Sequence, residues 1–153
     1  MTEPAESVAT TPSPDQSPAG VVRAFLIALA DGDTDTAIGL VADELVYENV
    51  SLPTIRGKQR FSKGLHDFNR RGIGFDVRIH RIIEDGATVM TERTDALSFR
   101  RFHQQFWVCG VFEVHDGEIT LWRDYFDWRD IAMSGLRGLL AVAVPSLRAT
   151  MPD

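Results

Sequence analysis

Two acids, an arginine, a phenol and an amide stand where strand periodicity would collect them on apolar faces. In Val89-Met90-Thr91-Glu92-Arg93-Thr94-Asp95-Ala96-Leu97, a period of two puts Arg93 and Asp95 on the face that carries Val89 and Leu97. In Ile119–Trp128 the same period sets Asp124 between Trp122 and Phe126, and in Leu45–Val50 it joins Tyr47 and Asn49 to Leu45. A charge on a face that aliphatic residues would bury needs a partner to offset its lost hydration. On one strand, an internal ion pair that merely holds structure explains the pattern. Three such strands fit a concave apolar pocket containing two carboxylates, a guanidinium, a phenol and an amide.

Such a pocket could do acid–base chemistry. Two carboxylates about 5 Å apart at an effective dielectric near 20 repel by roughly 3 kcal/mol, or about two pK units. Arg93 at similar range cancels much of that, and desolvation then favours one cation, one carboxylate and one carboxylic acid. A general acid and a general base would coexist at neutral pH. Tyr47 and Asn49 could orient a water for the carboxylate, because an amide both donates and accepts.

The elements that must position these groups are legible in outline. Residues 1–17, rich in Thr, Ser, Pro, Ala and acids, have no apolar periodicity and read as a disordered tail, leaving 18–153 as one domain. Ser17-Pro18 gives a helix cap and first-turn proline, and Val22, Phe25, Leu26 and Leu29 mark one face of a helix over 18–30. Asp33 or Thr34 caps a shorter second helix through Ala37, Ile38, Leu40 and Val41. After the strand near 45–50 and a loop through Pro53 and Arg56-Gly57, Phe61, Leu65 and Phe68 predict a third helix stopping at Gly72. Phe75, Val77, Ile79, Arg81 and Ile83 alternate along a strand that turns at Asp85-Gly86 into the Val89–Leu97 stretch. Strands near 103–114 and 118–128 follow, joined at Asp116-Gly117, with Ser98–Gln104 as a loop before them. Helices followed by an antiparallel meander predict an α+β domain whose helices cover one face of a bent sheet. In the apolar segment 131–147 the uninterrupted run, Gly138–Val144, is much shorter than the roughly 18 residues a membrane span requires, and the segment should lid the sheet or pack on another subunit. Its Arg137 and Arg148 leave a peripheral membrane contact open.

Bulk properties narrow the function. The 153 residues are 44% hydrophobic and carry a net charge of −6, which disfavours a nucleic-acid partner. The basic run Arg56, Lys58, Arg60 and Lys63 reads as a solvated helix face. Cys109 is the single cysteine, which excludes an intrachain disulfide and suits a reducing compartment; in its apolar strand it reads as a small core residue without a catalytic role. No Lys or Arg precedes Arg23 and no apolar block precedes Val21, so the expected location is cytoplasmic. His66, His80, His103 and His115 lack metal-ligand spacing, and no phosphate loop, dinucleotide fingerprint or serine elbow occurs. Glu92 and Arg123 point away from the pocket face, and Trp107 is a candidate for a dimer contact.

Tyr47-x-Asn49, Arg93-x-Asp95 and Trp122-Arg123-Asp124-Tyr125-Phe126-Asp127, in this order, resemble the limonene-1,2-epoxide hydrolase family between about Val21 and Trp128. The resemblance implies an NTF2-like (cystatin-like) α+β cone, with a strongly curved mixed sheet and three N-terminal helices around a deep pocket, assembled as a homodimer. It implies one-step opening of a small hydrophobic epoxide by water, without metal, cofactor or covalent intermediate. Carried over by position, Asp95 becomes the acid and Asp124 the base; Asp124, Asn49 and Tyr47 hold the water, and Arg93 bridges the two acids. The Ser98–Gln104 stretch and the apolar C-terminal segment are less typical of the family, and bulky lipid-like epoxides stand beside terpene oxides as substrates. Two other classes share the cone. One is an isomerase or cyclase of the ketosteroid isomerase or polyketide cyclase kind, against which Arg93 between two acids argues, because enolate stabilisation needs neutral donors. The other is a non-catalytic module that binds hydrophobic ligands.

Overall fold

A computed structural model describes residues 15–152, so the expected tail over 1–17 lies outside the described residues except at its last three positions. The first helix, α1 (Pro18–Ala30), starts where the sequence places it: Ser17 Oγ accepts from the Gly20 amide at 3.0 Å, and proline opens the first turn. Val22, Phe25 and Leu26 on its inner face are completely buried. Helix α2 (Thr34–Gly39) is capped by Asp33, which accepts from the Thr36 amide at 3.1 Å. It ends before Leu40 and Val41, because Val41 already belongs to strand β1 (Val41–Asn49). A two-residue strand, β2 (Ile55–Arg56), stands where a loop is expected and pairs with Val46 and Tyr47. Helix α3 (Lys58–Arg70) buries Phe61, and the chain leaves it through Gly72 at φ 73°.

Strands β3 (Gly74–Asp85), β4 (Thr88–Phe99), β5 (Phe102–His115) and β6 (Glu118–Phe126) form the expected antiparallel meander. Strand β1 adds to it in parallel beside β6, giving a mixed six-stranded sheet in the order β2-β1-β6-β5-β4-β3. The architecture is the expected α+β one. Its core lies between α1 and the concave face of the sheet: the Phe25 ring meets the Trp122 indole edge-on at 5.2 Å, and the Phe112 ring stacks with that indole at 6.0 Å. Each such large side chain contributes about 1.5–3 kcal/mol through burial.

Several expectations are corrected. The strict alternation of β3 breaks at a register shift between Ile79 and Arg81; Ile82 then faces the core, while Arg81 and Ile83 are exposed. A bulge adds one residue and so exchanges the two faces beyond it. Ser98–Gln104 is no loop, since β4 and β5 continue to Phe99 and from Phe102 and leave Arg100-Arg101 as the tip. The last strand stops at Phe126; Asp127 accepts from the Arg129 amide at 2.8 Å and caps a fourth helix, α4 (Trp128–Ala143), that packs on β5. Cys109 sits half-buried on the outer sheet face, opposite Glu92 and Tyr125, and outside the core.

Candidate active site

The concave face of the sheet, α3 and the start of α4 enclose an apolar cavity of about 450 Å³, within the range of roughly 300–1,000 Å³ common to small-molecule sites. Its polar groups are few. Tyr47, Asn49, Asp95 and Asp124 reach it among Leu97, Phe106, Trp122 and Phe126, while Arg93 lies behind Asp95 and Asp124 with no exposed surface. The fold thus brings all five candidate residues to one place.

Register explains how. Asp95 and Arg93 are two apart on β4 and point inward together; Asp124 arrives from β6, two strands away, and Asn49 of β1 is its direct neighbour in the parallel pair. Gly110 of β5 stands between Thr91 and Asp124 in the row across the sheet. With no side chain there, the long Arg93 side chain can lie across β5 and reach β6.

Arg93 joins the acids. Its Nε donates to Asp95 Oδ1 at 2.8 Å, and Nη2 donates both to Asp95 Oδ2 at 3.2 Å and to Asp124 Oδ2 at 2.6 Å. Nη1 donates to Thr91 Oγ1 at 3.0 Å, and the guanidinium carbon lies 5.9 Å from the centre of the Phe112 ring. The second Asp124 oxygen, Oδ1, accepts from the Trp122 indole N–H at 2.8 Å. Asn49 Nδ2 donates to the Tyr47 hydroxyl at 2.8 Å, and the Tyr47 ring stacks on Trp122 at 4.2 Å. The phenol and amide are therefore held beside the Asp124 carboxylate by sheet register and by stacking.

Burial dominates the protonation of the two acids. It pushes Asp95 up to about 6, against the opposing pull of Arg93, and the charge of Asp124 adds to the rise. Asp124 is also raised by burial, with Arg93 and the Trp122 N–H working the other way. For Arg93, burial acts to lower the pKa, but Asp124 and Asp95 outweigh it and keep the cation charged. Burial, then Asp124, lifts the Tyr47 phenol above its usual range, so it stays neutral. One cation faces two reluctant carboxylates, an arrangement in which the pair retains a proton to higher pH than ordinary acids do.

Three further residues contribute that sequence pattern alone does not single out. Periodicity puts Thr91 and Trp122 on the pocket faces but assigns them no role, and the signal for Gly110 is that a glycine inside an apolar strand marks a close approach. Glu92 and Arg123 lie on the outer face as expected, paired with Arg81 and Glu48.

Comparison with known proteins bears on the family and the fold. The family profile of the limonene-1,2-epoxide hydrolase catalytic domain matches residues 16–137. Epoxide hydrolase EphG of Mycobacterium tuberculosis is 56% identical over 130 residues, covering 85% of this chain and 87% of the relative. The solved structure of an M. tuberculosis LEH-like epoxide hydrolase superposes with a TM-score of 0.85 at 53% identity, over 92% of this chain and 100% of the other. An NTF2-like protein of unknown function from Cytophaga hutchinsonii, 18% identical, matches 74% of this chain and 92% of its own with a TM-score of 0.62, a likeness of fold alone.

Proposed function

The chain belongs to the limonene-1,2-epoxide hydrolase family, and from that premise we propose that residues 18–153 hydrolyse an epoxide to a vicinal diol by direct attack of water. The observation that carries the reading is the single nitrogen, Arg93 Nη2, shared between two buried carboxylates at the wall of an apolar cavity. Asp124, the base, takes a proton from a water held by Asn49 and Tyr47. The water oxygen bonds to one epoxide carbon, that carbon's bond to the ring oxygen breaks, and Asp95 gives its proton to the departing oxygen. Afterwards Asp95 is ionised and Asp124 protonated, so one proton must return from Asp124 to Asp95 before the next cycle. Arg93 remains charged throughout and balances whichever acid is ionised. Ring strain supplies driving force, and each proton-transfer role typically contributes about 10²–10⁴ in rate.

The cavity walls are mostly aliphatic and aromatic, from Leu29, Phe68, Phe75 and Leu97 to Phe106 and Phe126, which suits a substrate hydrophobic along its length. Bulky terpene or lipid-like epoxides fit that lining. We infer a homodimer formed through the outer sheet face, where Met90, Trp107 and Tyr125 are exposed, and a cytoplasmic setting for a chain whose single cysteine can form no internal disulfide. Incubation with terpene, fatty-acid and sterol epoxides, with diols identified by mass spectrometry, tests the reaction. Diol formation that is lost in Asp95→Asn and Asp124→Asn supports it. Intact epoxides, with proton exchange in an enone instead, would move the chain to the isomerase class.

A further inference from the structure

Helix α4 covers β5 with a narrow face of Ile131, Ser134, Gly135, Gly138 and Ala141, and leaves the rest of its circumference open. Met133, Leu136, Leu139, Leu140, Val144 and Leu147 are between 40% and 63% exposed. A contiguous apolar surface of this kind is rare on a soluble protein unless something covers it.

Charge indicates what. The chain as a whole carries −6, yet from Ile131 to Pro152 it holds Arg137 and Arg148 and no acid. From Ser98 to Trp107 it holds Arg100 and Arg101 and again no acid. The fold joins these stretches: Gly138 lies so close to the His103 carbonyl and the Phe102 ring that a methyl there would clash, and Arg148 contacts His103. At the β4–β5 tip, Phe99 is exposed beside Arg100. Three acids lie nearby. Asp127 caps α4, Asp130 accepts from the Trp107 amide, and Asp76 lines a small cavity with Arg148.

We propose that the open face of α4 and the Phe99–Phe102 tip form a docking surface for an anionic phospholipid bilayer. Leucines and valines would enter the interface while Arg100, Arg101, Arg137 and Arg148 meet lipid phosphates. A second copy is a poorer occupant. A two-fold contact sets the patch against itself, so the four arginines would face their own equivalents with no acid from either stretch to pair with. Trp128 and Ile131, at the start of the same helix, line the cavity, so docking would bring its rim to the membrane. Only that consequence rests on the hydrophobic-epoxide reading, since it lets such a substrate enter directly from lipid.

Co-sedimentation with vesicles tests the surface without any substrate, so its failure is distinct from failure to hydrolyse epoxides. Binding should rise about tenfold or more between pure phosphatidylcholine and vesicles with about 30% phosphatidylglycerol, and fall with salt. Arg100→Gln/Arg101→Gln/Arg137→Gln should lower it by about tenfold to a hundredfold. Leu136→Ser/Leu139→Ser/Leu140→Ser should abolish it, and both variants should keep their circular dichroism and their turnover of a water-soluble epoxide. Absence of vesicle binding, or equal binding by wild type and both variants, would overturn the proposal. So would a leucine variant that turns a dimer into a monomer while the wild type ignores vesicles, which would assign the face to a second copy.

Discussion

Gly110 and Arg93 are fitted to each other: a methyl added at Gly110 would stand 2.1 Å from Arg93 Nη1 and 2.8 Å from Thr91 Oγ1. The guanidinium passes over this position to reach Asp124 from a strand that does not adjoin β6. Gly110→Ala should therefore displace the cation rather than merely crowd the core. Overpacking of this kind costs about 1–3 kcal/mol, and the epoxide turnover of the variant should fall by more than about tenfold. Urea denaturation beside steady-state kinetics checks both, and unchanged turnover would show that Arg93 has another route.

Removal of the cation itself is more severe. Arg93→Gln leaves two buried carboxylates without their shared donor, and breaking a buried ion pair typically costs about 3–5 kcal/mol. Part of that is relieved if the acids take up protons. The variant should fold with a lowered urea midpoint and show no measurable diol formation, and near-normal kcat/KM would contradict the bridging role.

The pH profile follows from Asp95. Its folded pKa, about 6, lies above the usual carboxylate value, so kcat/KM should decline on the alkaline side around that pH as the acid form is lost. Stability follows the same sign. Between the ordinary value near 4 and about 6 the native state binds more protons than the unfolded chain, so stability falls as pH rises through that window, by up to roughly 3 kcal/mol. Asp95→Asn should remove the alkaline limb together with about 10²–10⁴ of activity. It should also flatten the dependence of the urea midpoint on pH, and a variant that kept the wild-type slope would locate the proton elsewhere.

Trp122 fixes the other acid. Its indole N–H donates to Asp124 Oδ1 and favours the ionised form, opposing the rise due to burial. Trp122→Phe keeps an aromatic ring against Phe25 and Phe112 but loses the donor. A hydrogen bond to a charged group is worth about 1.5–3 kcal/mol, so the acid limb of kcat/KM should move up by about one to two pH units. A purely structural role would lower stability and leave that limb in place.

The sequence shows the site better than it shows the frame around it. Period-two alternation holds along β4, and along β6 from Leu121 onward, after a bulge between Ile119 and Leu121, so the facing of Arg93, Asp95 and Asp124 could be read residue by residue. On β3 the bulge after Ile79 breaks that logic, and no local residue type announces it. Pairing of β1 with β6 is equally hidden, since parallel neighbours 75 positions apart, such as Asn49 and Asp124, leave no mark in a short window. The N-terminal helices were legible through their caps and apolar spacing. Helix α4 shows in the sequence only as an apolar segment, because what buries one side of it is the small-residue face of Gly135, Gly138 and Ala141, which hydropathy does not distinguish from its exposed leucines.

Direct attack by water is tested most closely by a single turnover in oxygen-18 water with enzyme in excess over epoxide. The diol formed in that first turnover should carry the label, and the peptide containing Asp124 should keep its ordinary mass. An unlabelled first diol with the label in the Asp124 carboxylate would mean that the aspartate itself attacks carbon, and would contradict the role of base assigned to it.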